Sequence, residues 1–395
     1  MLLGGLRYLL PVIDTAHEQG YYVITADYLP DNIAHKFSDE YCNVSIIDKE
    51  AVLREAKRLK IDGIMSFACD PGVISASYVQ HKMGLPSFGP YESVEILQNK
   101  DKFRAFLAKN GFNVPKAKGY IDIDNALKES HQWIYPIIVK PTDAAGSKGV
   151  TRVNKPEDLH SALEYALKHT ISGHVIVEEF IEKQGCSSDT DSMSIDGELV
   201  FTSFCAQRFD PDAANPYAPA AYSWPSTFSK KQEELLTTEI QRLLTLLRMK
   251  TAVYNIETRI GIDGKPYIME LTPRGGGNRL CEMLRYATGV DLITAITRWA
   301  VGDNPRQIEQ KPYNGHWAEI ILHSDEGGIF DHLEISNNIP AEIVEKDLWI
   351  IKGTKVEPFE GANNAIGTLV LKFKTANELE YTITNQHEWL KVIVN

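Results

Sequence analysis

Two glutamates, Glu257 and Glu270, have the spacing to share a metal ion. They lie in two segments with strand character, 253–260 and 265–271, joined at Asp263-Gly264. Asp-Gly between alternating apolar positions is a strong hairpin signal. A two-residue turn there places the two carboxylates directly opposite each other, about 4.5–5.5 Å apart at Cβ, where they would repel. A hard cation such as Mg²⁺ removes that repulsion, because it binds carboxylate oxygens together with waters and phosphates. A solvated hairpin with two unrelated glutamates is the alternative.

The residues after the hairpin suit an anionic ligand. The same turn brings Thr272 opposite Asn255, and the chain continues as Pro273-Arg274-Gly275-Gly276-Gly277-Asn278. Arg274 offers a planar guanidinium for a carboxylate or phosphate, and the glycine run lets backbone amides approach a ligand closely. Acids, a cation and exposed amides within one short stretch favour chemistry on an anionic substrate.

Two lysines that could hold phosphate come earlier in the chain. Lys140 ends the apolar strand predicted over 137–141, and Lys148 lies in the glycine-punctuated segment 142–150. Such a loop can offer backbone N–H groups to phosphate oxygens while the lysines supply point charges. The pattern is not GxxxxGK[ST]. A glycine-rich turn beside an exposed lysine is the alternative reading of the loop.

The first 95 residues alternate apolar strands with amphipathic helices, which predicts a parallel sheet covered on both faces. The predicted strands are Met1–Leu3, Tyr22–Ala26, Val44–Ile47 and Gly63–Phe67. Gly4-Gly5 follows the first strand, but the full GxGxxG pattern is absent, so no dinucleotide site is expected.

Further along, caps and turns predict the elements that hold the charged residues. The predicted elements are a helix capped by Asn99 and ending at Asn110, a helix over 156–169, a strand over 174–181, a hairpin over 194–207 turning at Asp196-Gly197, a long loop over 210–228, a helix from the Ser229/Gln232 capping box to Leu247, a helix over 280–301 and short strands from His316 onward. The loop over 210–228 is long enough to predict a functional role. Arg208, Tyr217 and Tyr222 are candidate substrate contacts, with surface or packing roles as the alternative.

Composition limits the class of protein. The 395 residues predict two or three domains. Acidic residues exceed basic ones by 53 to 41, which argues against nucleic acid or an anionic membrane as partner. No apolar run approaches the roughly 20 residues of a membrane span, and the first residues do not read as a signal peptide. The five cysteines are scattered without CxxC spacing. Reduced thiols and a cytoplasmic location are therefore expected.

Taken in order, these motifs resemble the ATP-grasp superfamily over roughly residues 1–300. The likeness rests on Lys100, the VKP lysine, the GSKGV loop, the EEFI strand and the ELTPR segment. The tail resembles the C-terminal region of ATP-grasp carboxylate–amine ligases, such as bacterial amino-acid ligases. The resemblance implies an α/β protein with the ATP-grasp fold. Its expected parts are a Rossmann-like preATP-grasp domain (1–95), an ATP-grasp domain (96–305, with a flexible lid at roughly 113–182) and a β-rich C-terminal cap (306–395).

The resemblance also implies roles for single residues. ATP contacts are expected from Lys100, Lys140, Gly146, Ser147, Lys148, Gly149, Glu178, Glu179 and Ile181, metal ligation from Glu257, Glu270 and Thr272, and catalytic contacts from Arg274 and Lys140. Two positions depart from the family pattern. Ser187 stands where many relatives have a ribose-binding glutamate, so Asp189 or Asp191 is expected to replace it. Thr272 stands where the third metal ligand is commonly asparagine, so Asn255, Asn278 or water could complete the site.

The expected activity is ATP-dependent ligation of a small-molecule carboxylate to an amine through an acyl phosphate, with ADP and phosphate as products. ATP and Mg²⁺ or Mn²⁺ are the implied cofactors, nucleic acid and membrane are not expected as partners, and a homodimer is the family expectation. The alternatives are an enzyme like biotin carboxylase or carbamoyl-phosphate synthase, a glycinamide ribonucleotide synthetase, and a non-catalytic ATP-binding regulatory protein. Intact Glu257, Glu270 and Arg274 argue against the last of these.

Overall fold

The computed structural model describes residues 1–144, 148–305, 308–336 and 338–395. The first elements are β1 (Leu2–Leu3), α1 (Leu10–Glu18), β2 (Ile24–Asp27), β3 (Glu40–Asn43), α2 (Lys49–Leu59), β4 (Met65–Ser66), α3 (Val73–Met83) and α4 (Tyr91–Gln98). The strands form a parallel sheet in the order β3-β2-β1-β4, which confirms the predicted parallel sheet. The prediction of a strand at 44–47 is wrong. The strand in this part of the chain is β3, which pairs with β2, and Val44 and Ile46 are buried beyond its end.

The next unit is a four-stranded antiparallel sheet backed by a helix. Its elements are α5 (Lys100–Lys109), β5 (Ala117–Tyr120), α6 (Ile123–Lys128), β6 (Ile137–Pro141), β7 (Thr151–Val153), α7 (Leu159–Leu167) and β8 (Val175–Glu179). The strand order is β5-β8-β6-β7. Asn99 caps α5 as predicted, because its side chain accepts a hydrogen bond from the Lys102 amide at 2.9 Å. This sheet and α7 enclose a small hydrophobic core of their own.

The central unit contains the predicted hairpin. Its elements are β9 (Ser188–Ile195), β10 (Glu198–Phe201), β11 (Ala206–Phe209), β12 (Pro219–Trp224), α8 (Lys230–Leu246), β13 (Ala252–Ile260), β14 (Pro266–Thr272), α9 (Leu280–Thr288) and α10 (Leu292–Ala300). The central antiparallel sheet has the order β10-β9-β13-β14. The capping box at Ser229 and Gln232 is present. The helix predicted over 280–301 is two helices, because Gly289 adopts a left-handed conformation and ends α9.

The β13–β14 hairpin has the predicted pairing at its acids but not the predicted turn. The loop holds three residues, 262–264, and the Gly264 amide donates to the Gly261 carbonyl at 2.8 Å. A three-residue loop shifts the register by one position relative to a two-residue turn. A β-bulge at Met269 shifts it back, so that Glu257 pairs with Glu270.

The last elements are β15 (His316–Leu322), β16 (Gly328–Ile335), β17 (Glu342–Leu348), β18 (Lys355–Val356), β19 (Gly367–Phe373), α11 (Ala376–Thr384), α12 (Gln386–Trp389) and β20 (Leu390–Val394). Two sheets result, β11-β12-β15-β19-β17 and β18-β16-β20. The prediction of one long loop over 210–228 is wrong for its second half, because β12 pairs with a strand on each side. The five-stranded sheet combines β11 and β12, which precede the domain limit expected at 305, with three strands that follow it. The expected domain limits stay a prediction.

Within the described ranges, no helix combines the length and the apolar character that crossing a membrane requires.

Candidate active site

One cavity lies between the β5–β8 sheet and the central sheet, and it gathers most of the residues expected at the site. Its lining includes Lys100, Lys140, Lys148, Glu178, Glu179, Ile181, Glu257 and Glu270 from the predicted set, together with Ile138, Phe180, Gln207, Phe209, Tyr217, Arg259 and Met269. The lysines come from β6, the loop after it and α5, while the two opposed glutamates come from the central hairpin. The cavity therefore brings lysines and carboxylates together with apolar side chains such as Ile138, Phe180 and Met269.

Each of the opposed glutamates has a cation beside it. Arg259 NH2 donates to Glu257 Oε1 at 2.6 Å, and Lys100 Nζ donates to Glu270 Oε1 at 3.2 Å. Lys100 also donates to the Ala144 carbonyl at 2.9 Å. The carboxylates keep partial access to solvent, with side-chain exposures of 28% and 41%. Oxygen donors of this kind fit Mg²⁺ or Mn²⁺, so Glu257 and Glu270 are the residues that would hold such an ion.

Lys140 belongs to a buried charge cluster. Its ammonium donates to Glu178 Oε1, and Arg104 Nε donates to the other oxygen of that carboxylate at 3.0 Å. Burial disfavours ionisation of Glu178, but the two cations outweigh burial and lower its pKa to about 2. Arg104 also donates to the Met269 carbonyl at 2.8 Å. Glu178 therefore positions Lys140 through its side chain, and its expected contact with ATP stays a prediction.

The bulge on β14 explains how Met269 and Glu270 both reach the cavity. Consecutive residues of a regular strand point to opposite faces of the sheet. Met269 is the extra residue between the Glu257–Glu270 and Thr258–Ile268 pairs, so the alternation breaks there. An apolar wall residue and a candidate metal ligand thus lie side by side.

Asp189 extends the pair of glutamates into a row of three acids. It pairs with Glu257 across β9 and β13, and Asn255 Nδ2 donates to it at 2.9 Å. Burial and the charge of Glu257 raise the pKa of Asp189 to about 8. Asp191 is not free for a ribose, because its carboxylate accepts from the Gly276 amide at 3.0 Å and from the Cys281 thiol at 2.9 Å.

Arg274 and Thr272 lie outside the lining of this cavity. Arg274 makes a forked ion pair with Asp70, in which NH2 donates to both carboxylate oxygens at 2.8 Å. Thr272 is buried opposite Asn255, as the predicted register requires. Gly146 and Ser147 are outside the described residues. Gly149 has φ of +72°, which favours glycine. The assigned roles of these residues, and that of Asp189, stay predictions.

Four contributors were missed from the sequence, namely Arg104, Asp70, Arg259 and Met269. Arg259 carried a usable signal, because it lies two positions after Glu257 on the same strand face. The other three carried none. Arg104 and Asp70 reach the site through partners distant in sequence, and Met269 reaches it through the bulge.

Comparison with known proteins finds a family match in the central region of the chain. Residues 133–282 match the family model of the ATP-grasp domain. The carbamoyl phosphate synthase large chain of Thermotoga petrophila is 23% identical over 301 residues, which cover 75% of this chain and 27% of that protein. This chain therefore spans about a quarter of the length of the curated relatives it matches.

Two solved structures share the fold over almost their whole length. L-amino acid ligase from Bacillus licheniformis superposes with a TM-score of 0.81 at 19% identity, covering 100% of this chain and 98% of that one. Phosphoribosylglycinamide synthetase from Anaerococcus prevotii superposes with a TM-score of 0.77 at 21% identity, with the same coverage. Residues 133–282, which hold Lys140, Lys148 and the opposed acids, therefore match an ATP-grasp domain, and the two solved structures share the fold of the whole chain.

Proposed function

We propose that this chain is an ATP-dependent carboxylate–amine ligase that forms a C–N bond and releases ADP and phosphate. The observation that carries the proposal is the single cavity in which Lys100, Lys140 and Lys148 face the opposed Glu257 and Glu270. Lysines of this kind neutralise nucleotide phosphates, and paired carboxylates suit the divalent ion that accompanies them. The apolar wall between them suits a purine ring.

In the proposed reaction, a substrate carboxylate oxygen attacks the γ-phosphorus of ATP, and the bond from that phosphorus to the bridging oxygen of ADP breaks. The product is an acyl phosphate. An amine nitrogen then attacks the acyl carbon, inorganic phosphate leaves and the amine loses a proton. A bound Mg²⁺ or Mn²⁺ would offset phosphate charge during transfer. Lys140, fixed by Glu178, stabilises the same charge from the opposite side.

The cations beside the glutamates exchange partners in this proposal. Lys100 pairs with Glu270 in this structure and would be available to a phosphate if that glutamate held a metal ion. Arg274 binds a substrate carboxylate only by exchanging its partner Asp70. Asp189 either supports the metal row, beside Glu257, or contacts the ribose as the resemblance implied.

The proposal includes small-molecule substrates, a cytoplasmic location and a homodimeric assembly, which follow from the acidic composition and from the resemblance. A net charge of −12 would repel nucleic acid and anionic lipid.

The test is a phosphate-release screen in Mg-ATP with amino acids and other carboxylates, each offered with and without an amine, and with bicarbonate as a separate arm. We expect release that requires both a carboxylate and an amine, with ADP as the nucleotide product. With ¹⁸O in the substrate carboxylate, one labelled oxygen should appear in the released phosphate, because the acyl phosphate passes it on.

Several outcomes would contradict the proposal. AMP with pyrophosphate, or unlabelled phosphate, would exclude the acyl-phosphate route. Release with bicarbonate and no other carboxylate would favour the carboxylase-like alternative. Tight Mg-ATP binding without turnover across the whole screen would favour the regulatory alternative.

A further inference from the structure

A second cluster of charged side chains lies where three distant segments meet. Asp210 and Asp212 follow β11, His323 and Asp325 follow β15, and His387 is on α12. Asp210, His323, Asp325 and His387 border a cavity that is separate from the one described above. Asp210 and His323 are almost fully buried, with side-chain exposures of 5% and 4%.

The side chains converge on one oxygen atom. Asp210 Oδ2 lies 3.4 Å from His323 Nε2 and 3.5 Å from His387 Nε2. Asp325 Oδ1 lies 3.9 Å from His323 Nε2, and Asp212 Oδ2 lies 4.0 Å from His387 Nε2. The other oxygen, Asp210 Oδ1, accepts from the Asp212 amide at 2.9 Å, which fixes the orientation of the carboxylate.

The ring of His323 is also fixed. Its Nδ1 lies 2.7 Å from the Ile321 carbonyl and must donate to it, which leaves the Nε2 lone pair of the neutral ring directed at Asp210. The ring stacks on Phe359 at 4.0 Å. Histidines that bind metals commonly hold their other nitrogen this way, because the carbonyl sets the tautomer and the angle of the ring. Two acceptors facing each other need either a proton or a metal ion between them.

The distances decide which cation fits. Good N–H···O hydrogen bonds span about 2.7–3.2 Å, so separations of 3.4–4.0 Å are long for direct pairing. Two ligands of one tetrahedral ion with bonds of about 2.0–2.1 Å lie roughly 3.4 Å apart. Imidazole nitrogens together with carboxylates favour zinc and its neighbours over Mg²⁺ or Ca²⁺.

We propose that Asp210, His323 and Asp325 bind a divalent transition-metal ion such as Zn²⁺, with water as a further ligand. The ion would join the segment after β11 to the segment after β15. Phe209, which precedes Asp210, and Tyr217 both line the nucleotide cavity. Metal binding would therefore hold one wall of that cavity in place. This inference is independent of the proposed ligase activity.

The test uses the full chain, stripped with a chelator and then loaded with Zn²⁺ or Co²⁺ in the absence of nucleotide. We expect about one equivalent of metal to survive dialysis, tetrahedral Co²⁺ absorption bands, and a higher melting temperature with Zn²⁺. His323→Ala should abolish retention. Asp325→Asn changes an exposed carboxylate, with 41% side-chain exposure, and should weaken binding by about tenfold or more while leaving the fold intact.

Two variants serve as controls. His332→Ala removes a histidine that contacts Asp331 and Glu334 at 2.7 and 3.2 Å, which are hydrogen-bond distances, so retention should not change. Glu270→Gln alters the catalytic acids and should also retain the metal. Failure of the wild-type chain to retain metal would overturn the proposal. Unchanged affinity in Asp325→Asn would do so too, even if His323→Ala does not fold.

Discussion

At the residue scale, the opposed glutamates of the candidate active site are already neutralised. Glu257 has Arg259 as its partner, and Glu270 has Lys100. In the proposed reaction, ligand binding therefore exchanges ion pairs within the cavity. Glu257, Glu270, Lys140 and Lys148 could be predicted from their types and spacing, and Lys100 from the resemblance. Their cationic partners could not, apart from Arg259, because those contacts depend on how separate sheets meet.

Glu270→Gln tests the metal assignment. The variant removes one anion of the pair and leaves Lys100 without its partner, so we expect the ligase activity found in the screen to fall on the order of 10²–10³-fold. The side chain is 41% exposed, so the fold should be retained. Steady-state rates and circular dichroism measure the two effects.

Glu198→Gln is the matched control, since Glu198 is an exposed glutamate on β10 of the same sheet. It should behave as wild type. Near wild-type turnover of Glu270→Gln at ordinary Mg²⁺ concentrations would refute the assignment.

The carboxyl group of Glu319 on β15 leads us to expect that the stability of the protein depends on pH. Glu319 is fully buried, and neither oxygen finds a hydrogen-bond partner among the residues that the structure describes. Burial raises its pKa well above the ordinary 4.5, although Arg279 acts in the opposite direction. The folded state thus holds a proton that the unfolded chain releases above 4.5. Stability contributed by this group is lost as the pH rises toward the folded-state pKa.

Glu319→Gln imitates the protonated carboxyl and removes this titration. Thermal unfolding of both proteins between about pH 5 and about pH 9 should show a smaller loss of stability in the variant, with a difference on the order of 1–3 kcal/mol at the alkaline end. Parallel curves would show that Glu319 has the same pKa in the folded protein as in the unfolded chain.

At the element scale, local signals predicted what local contacts decide. The Asn99 cap, the Ser229/Gln232 capping box and the β13–β14 hairpin are set by neighbours in sequence, and all are present. β12 was missed because its Pro, Ala and Tyr residues lack alternation, and it forms through pairing with β11 and β15. The three-residue loop of the hairpin was missed together with the bulge that compensates for it, because a bulge has no sequence pattern of its own.

At the scale of the whole molecule, the front sheet is attached directly to the glycine run after β14. Asp70 pairs with Arg274, the Ala68 amide donates to the Gly275 carbonyl at 3.0 Å, and Phe67 packs on the same glycine. The resemblance gave the order of the parts along the chain. These contacts between parts could not be predicted, because each one joins residues about 200 positions apart.

Gly275→Ala tests this attachment. An added Cβ would lie 2.2 Å from Phe67 Cε2, so the ring or the backbone must move. We expect a loss of about 1–3 kcal/mol in the free energy of unfolding, measured with urea. Gly277→Ala is the control, because the nearest atom to its Cβ is Tyr8 Cδ2 at 4.0 Å. Equal stability of the two variants would mean that the contact with Phe67 is loose.

The bulge at Met269 has a consequence for how such a protein can diversify. Met269 has no partner of its own on β13, so the pairing of Glu257 with Glu270 does not depend on which side chain stands there. Yet that side chain forms part of the cavity wall. In the proposed function, selectivity for the ring of the nucleotide can therefore be varied by mutation at this position while Glu257 and Glu270 keep their pairing. An exchangeable wall residue and a candidate metal ligand are thus one peptide bond apart in the hairpin.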